Sequence, residues 1–279
     1  MAKVGYGESM GTMIHVSRAD DPRIVAYQNV RDKDLLRDET FVAEGEVVLR
    51  VLCSSRPSWV ESLLLSESRA VALADLLDSL PPEVPVYVAA QEVMDAVVGF
   101  EIHRGILAIG RRPPHVSLEE RVRSLGPGPV LVVAAIGIAN HDNVGGIFRN
   151  AAAFGVDALL LDSVSCDPLY RKAIRVSVGG VLRVPFCRAG EAEEILGVLE
   201  QAAITPIALS PRGTHDLGSF RFPERSALLL GAEGPGLSDA VLARSTTVRI
   251  AMSGGFDSLN VATTSGIALH TARSRLAQG

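Results

Sequence analysis

The sequence predicts an α/β protein built as two domains, and three observations carry the prediction. From Val130 onward, continuous apolar stretches alternate with helical segments, the pattern of a mostly parallel sheet with helices on both faces. Ahead of it, shorter strands and helices alternate through about ninety residues, which suits a smaller α/β unit. Between the two lie Arg111-Arg-Pro-Pro-His115 and Gly126-Pro-Gly-Pro129, where proline and glycine interrupt regular structure. The expected boundaries are a loosely ordered leader at 1–18, a first domain at 19–110, a linker at 111–129 and a second domain at 130–279.

Taken in order, Asp21-Pro22 is placed to open a helix, and Ile24 to Leu36 mixes apolar residues with Arg31 and Lys33, Arg37 following directly. Phe41-Val-Ala-Glu-Gly45 then leads into the apolar-rich Glu46–Cys53. Val60–Leu65, Val84–Val88 and Gly105–Ile109 read as short strands, with helices over Arg69–Leu80 and Gln91–Val98. The linker holds a short polar helix with Arg121 and Arg123. In the second domain the strand candidates are Val130–Ile136, Ala158–Leu161, Ile207–Leu209, Ala227–Leu230 and Thr247–Ile250. Helices are expected over Val144–Phe154, Glu191–Ala203 and Leu237–Arg244, and a last one of small residues runs to about Arg275.

With 47% hydrophobic and 21% charged residues, the chain has the makings of a sizeable core. No apolar run reaches the length that spans a bilayer, and the N-terminus lacks the apolar centre of a secretory signal. Cys53, Cys166 and Cys187 are scattered without metal-ligand spacing and read as buried free thiols in a reducing cytoplasm. The six histidines are scattered too, so no metal is expected. A net charge of −5 argues against indiscriminate binding to nucleic acid and leaves room for a local basic face.

Four clusters carry what chemistry there is. Asn140-His-Asp-Asn-Val-Gly-Gly-Ile-Phe-Arg149 follows the first strand of the second domain and enters a helix, with Asn143 a candidate N-cap. Gly231-Ala-Glu-Gly-Pro-Gly-Leu-Ser238 follows a strand directly but lacks both nucleotide-loop spacings. Glu233 in its middle repels phosphate and suits a neutral or cationic ligand, or a hydroxyl that needs orienting. In Asp167–Gly180, Arg171 and Arg175 are four apart and share a helix face with Lys172 beside it, an arrangement that can hold a phosphodiester backbone. In Arg249–Ser265 a strand runs into Gly254-Gly255 and then Asp257, Ser258 and Asn260, with Ser258 or Asn260 available to cap the next helix. No Ser/His/Asp arrangement or reactive cysteine is evident, so covalent hydrolysis has little support.

Three of these segments together resemble a known set. Asn143-Val-Gly-Gly-Ile-Phe-Arg149, Leu230–Ser238 and Ile250-Ala-Met-Ser-Gly through Ser258-Leu-Asn-Val261 look like motifs 1, 2 and 3 of the SpoU (TrmH) family, RNA 2′-O-ribose methyltransferases of the SPOUT superfamily. The order and spacing match over 130–279, and Ala251 departs from the proline usual there. The first domain is similar to the α/β/α RNA-binding domain that many members carry, Phe41–Gly45 being its clearest local match.

The resemblance implies a deep C-terminal trefoil knot, S-adenosylmethionine as cofactor with S-adenosylhomocysteine as product, a homodimer formed through the C-terminal domain, and RNA as partner. It makes Arg149 the catalytic arginine and places Asn143, Glu233, Ser258 and Asn260 around the target ribose. It puts Leu209, Gly231, Gly236, Ile250, Met252 and Leu259 around the cofactor; the helix face of Arg171, Lys172 and Arg175, read from its spacing, is then the expected RNA contact. Because a guanidinium normally stays protonated, Arg149 reads as a phosphate and alkoxide clamp as readily as a base. The expected function is cytoplasmic ribose 2′-O-methylation of structured RNA, ribosomal rather than transfer RNA. A non-catalytic RNA-binding protein on the same scaffold is the alternative, and the missing dinucleotide fingerprint disfavours an oxidoreductase.

Overall fold

Leu63, Leu64 and Leu65 are consecutive on one strand and all fully buried. Successive strand residues point to opposite faces, so that strand belongs to a sheet covered on both sides. The computed structural model describes residues 13–28, 39–98, 105–253 and 258–276. The chain divides into one unit of Met1–Pro113 with Leu169–Arg171 and another of Pro114–Pro168 with Lys172–Gly279.

The first unit holds a sheet of β1 (Met13–Val16), β2 (Thr40–Glu44), β3 (Val60–Ser66), β4 (Val86–Ala89) and β5 (Ile106–Arg111), in the order β1-β4-β3-β5-β2. β1, β4 and β3 run parallel, while β5 is antiparallel to both β3 and β2. Met13–Val16 is thus an edge strand where a loose leader was expected. Asp21 acts as a helix cap by accepting from the Arg23 N–H at 2.9 Å, but the helix is a short 3-10 segment, Pro22–Tyr27, and residues 29–38 lie outside the described residues. The apolar stretch after Gly45 is a helix, α1 (Glu46–Ser55). The expected helix over Arg69–Leu80 is two short ones, α2 (Glu67–Ala72) and α3 (Ala74–Leu77), because Leu73 leaves helical geometry to bury its side chain. α4 (Gln91–Val98) stands where the sequence placed it. Tyr27 is fully buried, where its hydroxyl meets Ser62 Oγ at 2.7 Å and burial raises its pKa.

The second unit carries β6 (Val130–Ala135), β7 (Ala158–Leu161), β8 (Phe186–Arg188), β9 (Thr205–Leu209), β10 (His215–Asp216), β11 (Arg225–Leu230) and β12 (Thr246–Arg249). Their order is β10-β12-β9-β11-β6-β7-β8, and every pairing is parallel. All six residues of β6 are buried, as a central parallel strand requires. The sequence missed β8 and β10, which are three and two residues long and too short to show a period.

The segment read as a linker is partly core. Ser117 and Glu120 form a capping box that starts α5 (Leu118–Arg123), and Leu118 and Val122 pack among Val130, Ile195 and Leu199. Next come α6 (His141–Ala153), the short α7 (Arg171–Val176) and α8 (Gly180–Arg183), α9 (Ala192–Gln201), α10 (Asp239–Ala243) and the long α11 (Val261–Leu276). Among the described residues no helix is long and apolar enough to cross a membrane.

Candidate functional site

Parallel strands leave a crevice beyond their C-terminal ends, where the loops that leave them gather. Here β12, β9 and β11 are neighbours, so the segments after Leu209, Leu230 and Arg249 converge. They form one cavity whose wall includes Leu209, Gly231, Gly236, Ile250, Met252 and Leu259, the six residues that the resemblance placed around a cofactor. Glu233 and Ser258 line it as well. Ser210, Pro211 and Thr264 also line it and were not foreseen. Their signal was positional, since Ser210 and Pro211 follow a strand end and Thr264 lies one turn into the last helix.

The glycines there have steric reasons. A Cβ on Gly231 would stand 2.5 Å from backbone atoms of Gly236 and Leu237, so only glycine lets the loop close on itself. Gly236 then donates its N–H to the Ala232 carbonyl at 3.0 Å, and its φ of 71° lies in the left-handed region.

Polar residues meet on the rim of this cavity because two helices come unusually close. A Cβ on Gly146 would stand 2.6 Å from the Ala262 Cβ, so α6 and α11 need small residues at their crossing. One turn on, Asn150 Nδ2 donates to the Ala262 carbonyl at 2.7 Å and to Ser265 Oγ at 2.9 Å, tying the pair together. That brings Asn143 and Asn260 within hydrogen-bond reach. Asn260 Nδ2 donates to Asn143 Oδ1 at 2.9 Å and to Glu233 Oε1 at 3.4 Å, and Asn143 Nδ2 donates to Glu233 Oε1 at 2.7 Å.

The orientation of both amides is set by the backbone. Asn260 Oδ1 accepts from the N–H groups of Ala262 and Thr263 at 2.9 and 3.2 Å, so it caps α11. Its Nδ2 must therefore face Asn143, which answers with its oxygen and turns its own nitrogen to the carboxylate. Asn143 is not the cap of α6. That cap is Asn140, and Asn143 sits a turn inside, 4% exposed and spent on Glu233.

A second cleft adjoins the first and shares Ala232 and Glu233 with it. Its other walls are Gly137–His141 and Asn143. The 137–138 loop is held from behind, for Gly137 donates to Asp162 Oδ2 and Ile138 to Ser165 Oγ, both at 2.9 Å. Asp162 and Ser165 are buried and bonded to each other. Sequence reasoning did not single out this pair. Its signal was a short Asp-x-x-Ser step at the end of β7.

Arg149 stands apart from these residues. It is exposed, has no hydrogen-bond or ion-pair partner among the described residues and lines neither cleft. Helix geometry explains this, since Asn143, Gly146 and Asn150 share the face toward α11 and Arg149 lies about 100° round from Asn150.

The basic face expected at 171–175 is largely spoken for. Arg171, which groups with the first unit, pairs with Glu44 at 2.8 Å, and Lys172 pairs with Asp142 at 2.6 Å. Arg175 alone of the three is exposed without an ion pair among the described residues. Of the thiols, Cys53 and Cys187 are buried while Cys166 is half-buried. Burial pushes Cys53 up to about 12 and Cys166 to about 11, so neither is a ready nucleophile. Among the described residues no group of three or more His, Cys, Asp or Glu is placed to hold a metal ion.

A parallel α/β sheet with a glycine-walled cleft at its strand ends and an asparagine–glutamate network on the rim is the class of arrangement that can hold a small molecule. The particular family is shown by sequence. The profile of the SpoU rRNA Methylase family matches residues 130–270; the chain belongs to that family and is an RNA methyltransferase. An uncharacterized tRNA/rRNA methyltransferase of Mycobacterium tuberculosis is 38% identical over 266 residues, 90% of this chain and 88% of that protein. The 23S rRNA (guanosine-2′-O-)-methyltransferase RlmB of Vibrio parahaemolyticus is 32% identical over 245 residues, 85% of this chain and 98% of its own. The crystal structure of an AdoMet-bound rRNA methyltransferase from Sinorhizobium meliloti matches with a TM-score of 0.78, covering 95% of this chain and 98% of that one. Its identity is 23%, so that likeness concerns the fold.

Proposed function

We propose that the protein transfers a methyl group from S-adenosylmethionine to the 2′-hydroxyl of a ribose in structured RNA in the cytoplasm, ribosomal rather than transfer RNA. The observation that carries this reading is the wall shared by the two clefts. Glu233 borders both, and its Oε1 accepts from Asn143 and Asn260 while Oε2 meets no donor among the described residues. The family's description and the RlmB relative support ribosomal RNA and the ribose oxygen.

The first cleft fits S-adenosylmethionine. Leu209, Ile250 and Leu259 offer apolar walls to a flat base, Gly231 leaves no side chain in its path, and Glu233 on the rim suits a sulfonium. When bound, that group supplies a methyl cation equivalent and leaves as the neutral thioether S-adenosylhomocysteine. Glu233 Oε2 accepts the hydrogen of the target hydroxyl and so aims a lone pair of the ribose oxygen at the methyl carbon. As the C–O bond forms, the proton leaves by way of Glu233 to water. The two asparagine amides hold the carboxylate still, so little reorganisation is needed at the moment of transfer. Ser258, on the wall of the cofactor cleft, completes the polar rim. No metal enters the scheme.

The Arg149 guanidinium clamps the phosphate beside the target ribose, steadying the developing alkoxide. Because it lies outside both clefts of its own chain, a second copy in a homodimer is the arrangement that completes the site. The same reading carries the C-terminal trefoil knot. Its support is that β12, late in the chain, lies between β9 and β10, and that α11 then returns to α6. The first domain presents the RNA, with Arg175 an accessory contact.

The test is calorimetric titration with S-adenosylmethionine, then nucleoside analysis of treated RNA for 2′-O-methylation. Saturable binding is expected in the wild type and at least a tenfold loss in Gly231→Ala, whose Cβ collides with the loop backbone. Failure of folded protein to bind S-adenosylmethionine, with RNA present, would overturn the reading.

A further inference from the structure

The second cleft offers a donor as well as the Glu233 acceptor. Asn140 Oδ1 accepts from the Asp142 N–H at 2.8 Å and caps α6. An amide carries its acceptor and its donors on opposite prongs, so this bond turns the Nδ2 group away from the helix. Asn140 is exposed and lines the cleft, and among the described residues no acceptor meets that nitrogen. The neighbouring N–H groups are used, Gly137 by Asp162 and Ile138 by Ser165, so the loop is stiff. The amide is therefore a fixed donor pair on a firm wall, in the same cleft as Glu233.

We infer that Asn140 is a substrate-binding residue that donates to an acceptor oxygen of the target nucleotide while Glu233 engages the ribose hydroxyl. The inference rests on the reading of this site as a ribose methyltransferase. The acceptor is a phosphodiester oxygen or a base carbonyl, and the two are separable by charge.

Asn140→Asp and Asn140→Ser both keep an oxygen that caps the helix, and both remove the amide NH2 pair, the serine leaving only a shorter hydroxyl donor. The aspartate adds a negative charge and the serine does not. The measurements are transfer of tritiated methyl from S-adenosylmethionine into total RNA from cells lacking the gene, and binding of that RNA to protein saturated with S-adenosylhomocysteine. Both variants are expected to keep the wild-type melting temperature and S-adenosylmethionine affinity while KM for RNA rises about tenfold in the serine variant. A larger, salt-dependent rise in the aspartate variant identifies phosphate, and equal rises identify a base carbonyl. Unchanged KM and RNA binding in both variants, beside an active wild type, overturn the inference and leave the methyltransferase reading standing. A KM change that only tracks a lowered melting temperature overturns it as well. If the wild type transfers no methyl group to any RNA, the methyltransferase reading falls, and RNA binding alone decides for or against the donor. A wild type that neither methylates nor binds RNA removes both.

Discussion

Two helices in the second unit begin in the same way and end up doing different things. α6 starts at Asn140 and α11 at Asn260, and each asparagine caps its helix with its side-chain oxygen. The difference lies in the other half of the amide. The Asn260 nitrogen is spent on Asn143 and Glu233, closing a network on the cavity rim, whereas the Asn140 nitrogen meets no acceptor among the described residues, on a side chain that lines the second cleft. A cap therefore fixes which way an amide points, and its surroundings decide whether the remaining donors serve stability or a ligand.

The most severe test of that difference lies at the carboxylate that both clefts share. Glu233→Gln keeps the size of the side chain and an oxygen for the donors of Asn143 and Asn260, but replaces the remaining Oε2 acceptor by an NH2 donor. A fall in kcat of about a hundredfold or more is expected, with S-adenosylmethionine affinity changed far less. Single-turnover kinetics would show it, and a near-normal rate would remove Glu233 from the chemistry.

A smaller effect separates the two caps. Asn260→Asp retains the cap but places a carboxylate against Asn143 Oδ1 and Glu233, at a loss of about 1–3 kcal/mol read from urea unfolding. Asn140→Asp, with no such neighbours on its free side among the described residues, is expected to leave the unfolding midpoint in place. Equal losses at the two positions would erase the distinction between the caps.

The smallest effect lies behind the open cleft. Ser165→Ala removes the acceptor for Ile138 N–H and the donor to Asp162, and is expected to cost about 1–2 kcal/mol. It should raise KM for RNA while S-adenosylmethionine binding, on the other side of Glu233, is unchanged. Calorimetry beside the methyl-transfer assay separates the two.

How much of this was readable in the sequence depended on distance along the chain. Ala158–Leu161 and the glycine loop at 231–236 were placed from local pattern alone, because apolar runs and glycine turns arise within a few residues. The role of Asn143 was misread for the same reason. Within its own segment it looks like a cap, and what claims it is Glu233, 90 residues away, and Asn260, 117 away. The i, i+4 spacing of Arg171 and Arg175 is real, yet Glu44 takes Arg171, from 127 residues earlier in the chain.

The amino-acid order was thus enough for the α/β class, most strands of the second unit and the glycine loop that walls the cavity. Tertiary contacts settled which asparagine caps and which holds the carboxylate, that Arg149 lines neither cleft of its own chain, and that Leu118 and Val122 of the expected linker belong to the core. The physical reason is that periodicity and capping are local, whereas hydrogen-bond partnership at the site depends on where a parallel sheet brings its strand ends together and how closely two small-residue helices cross.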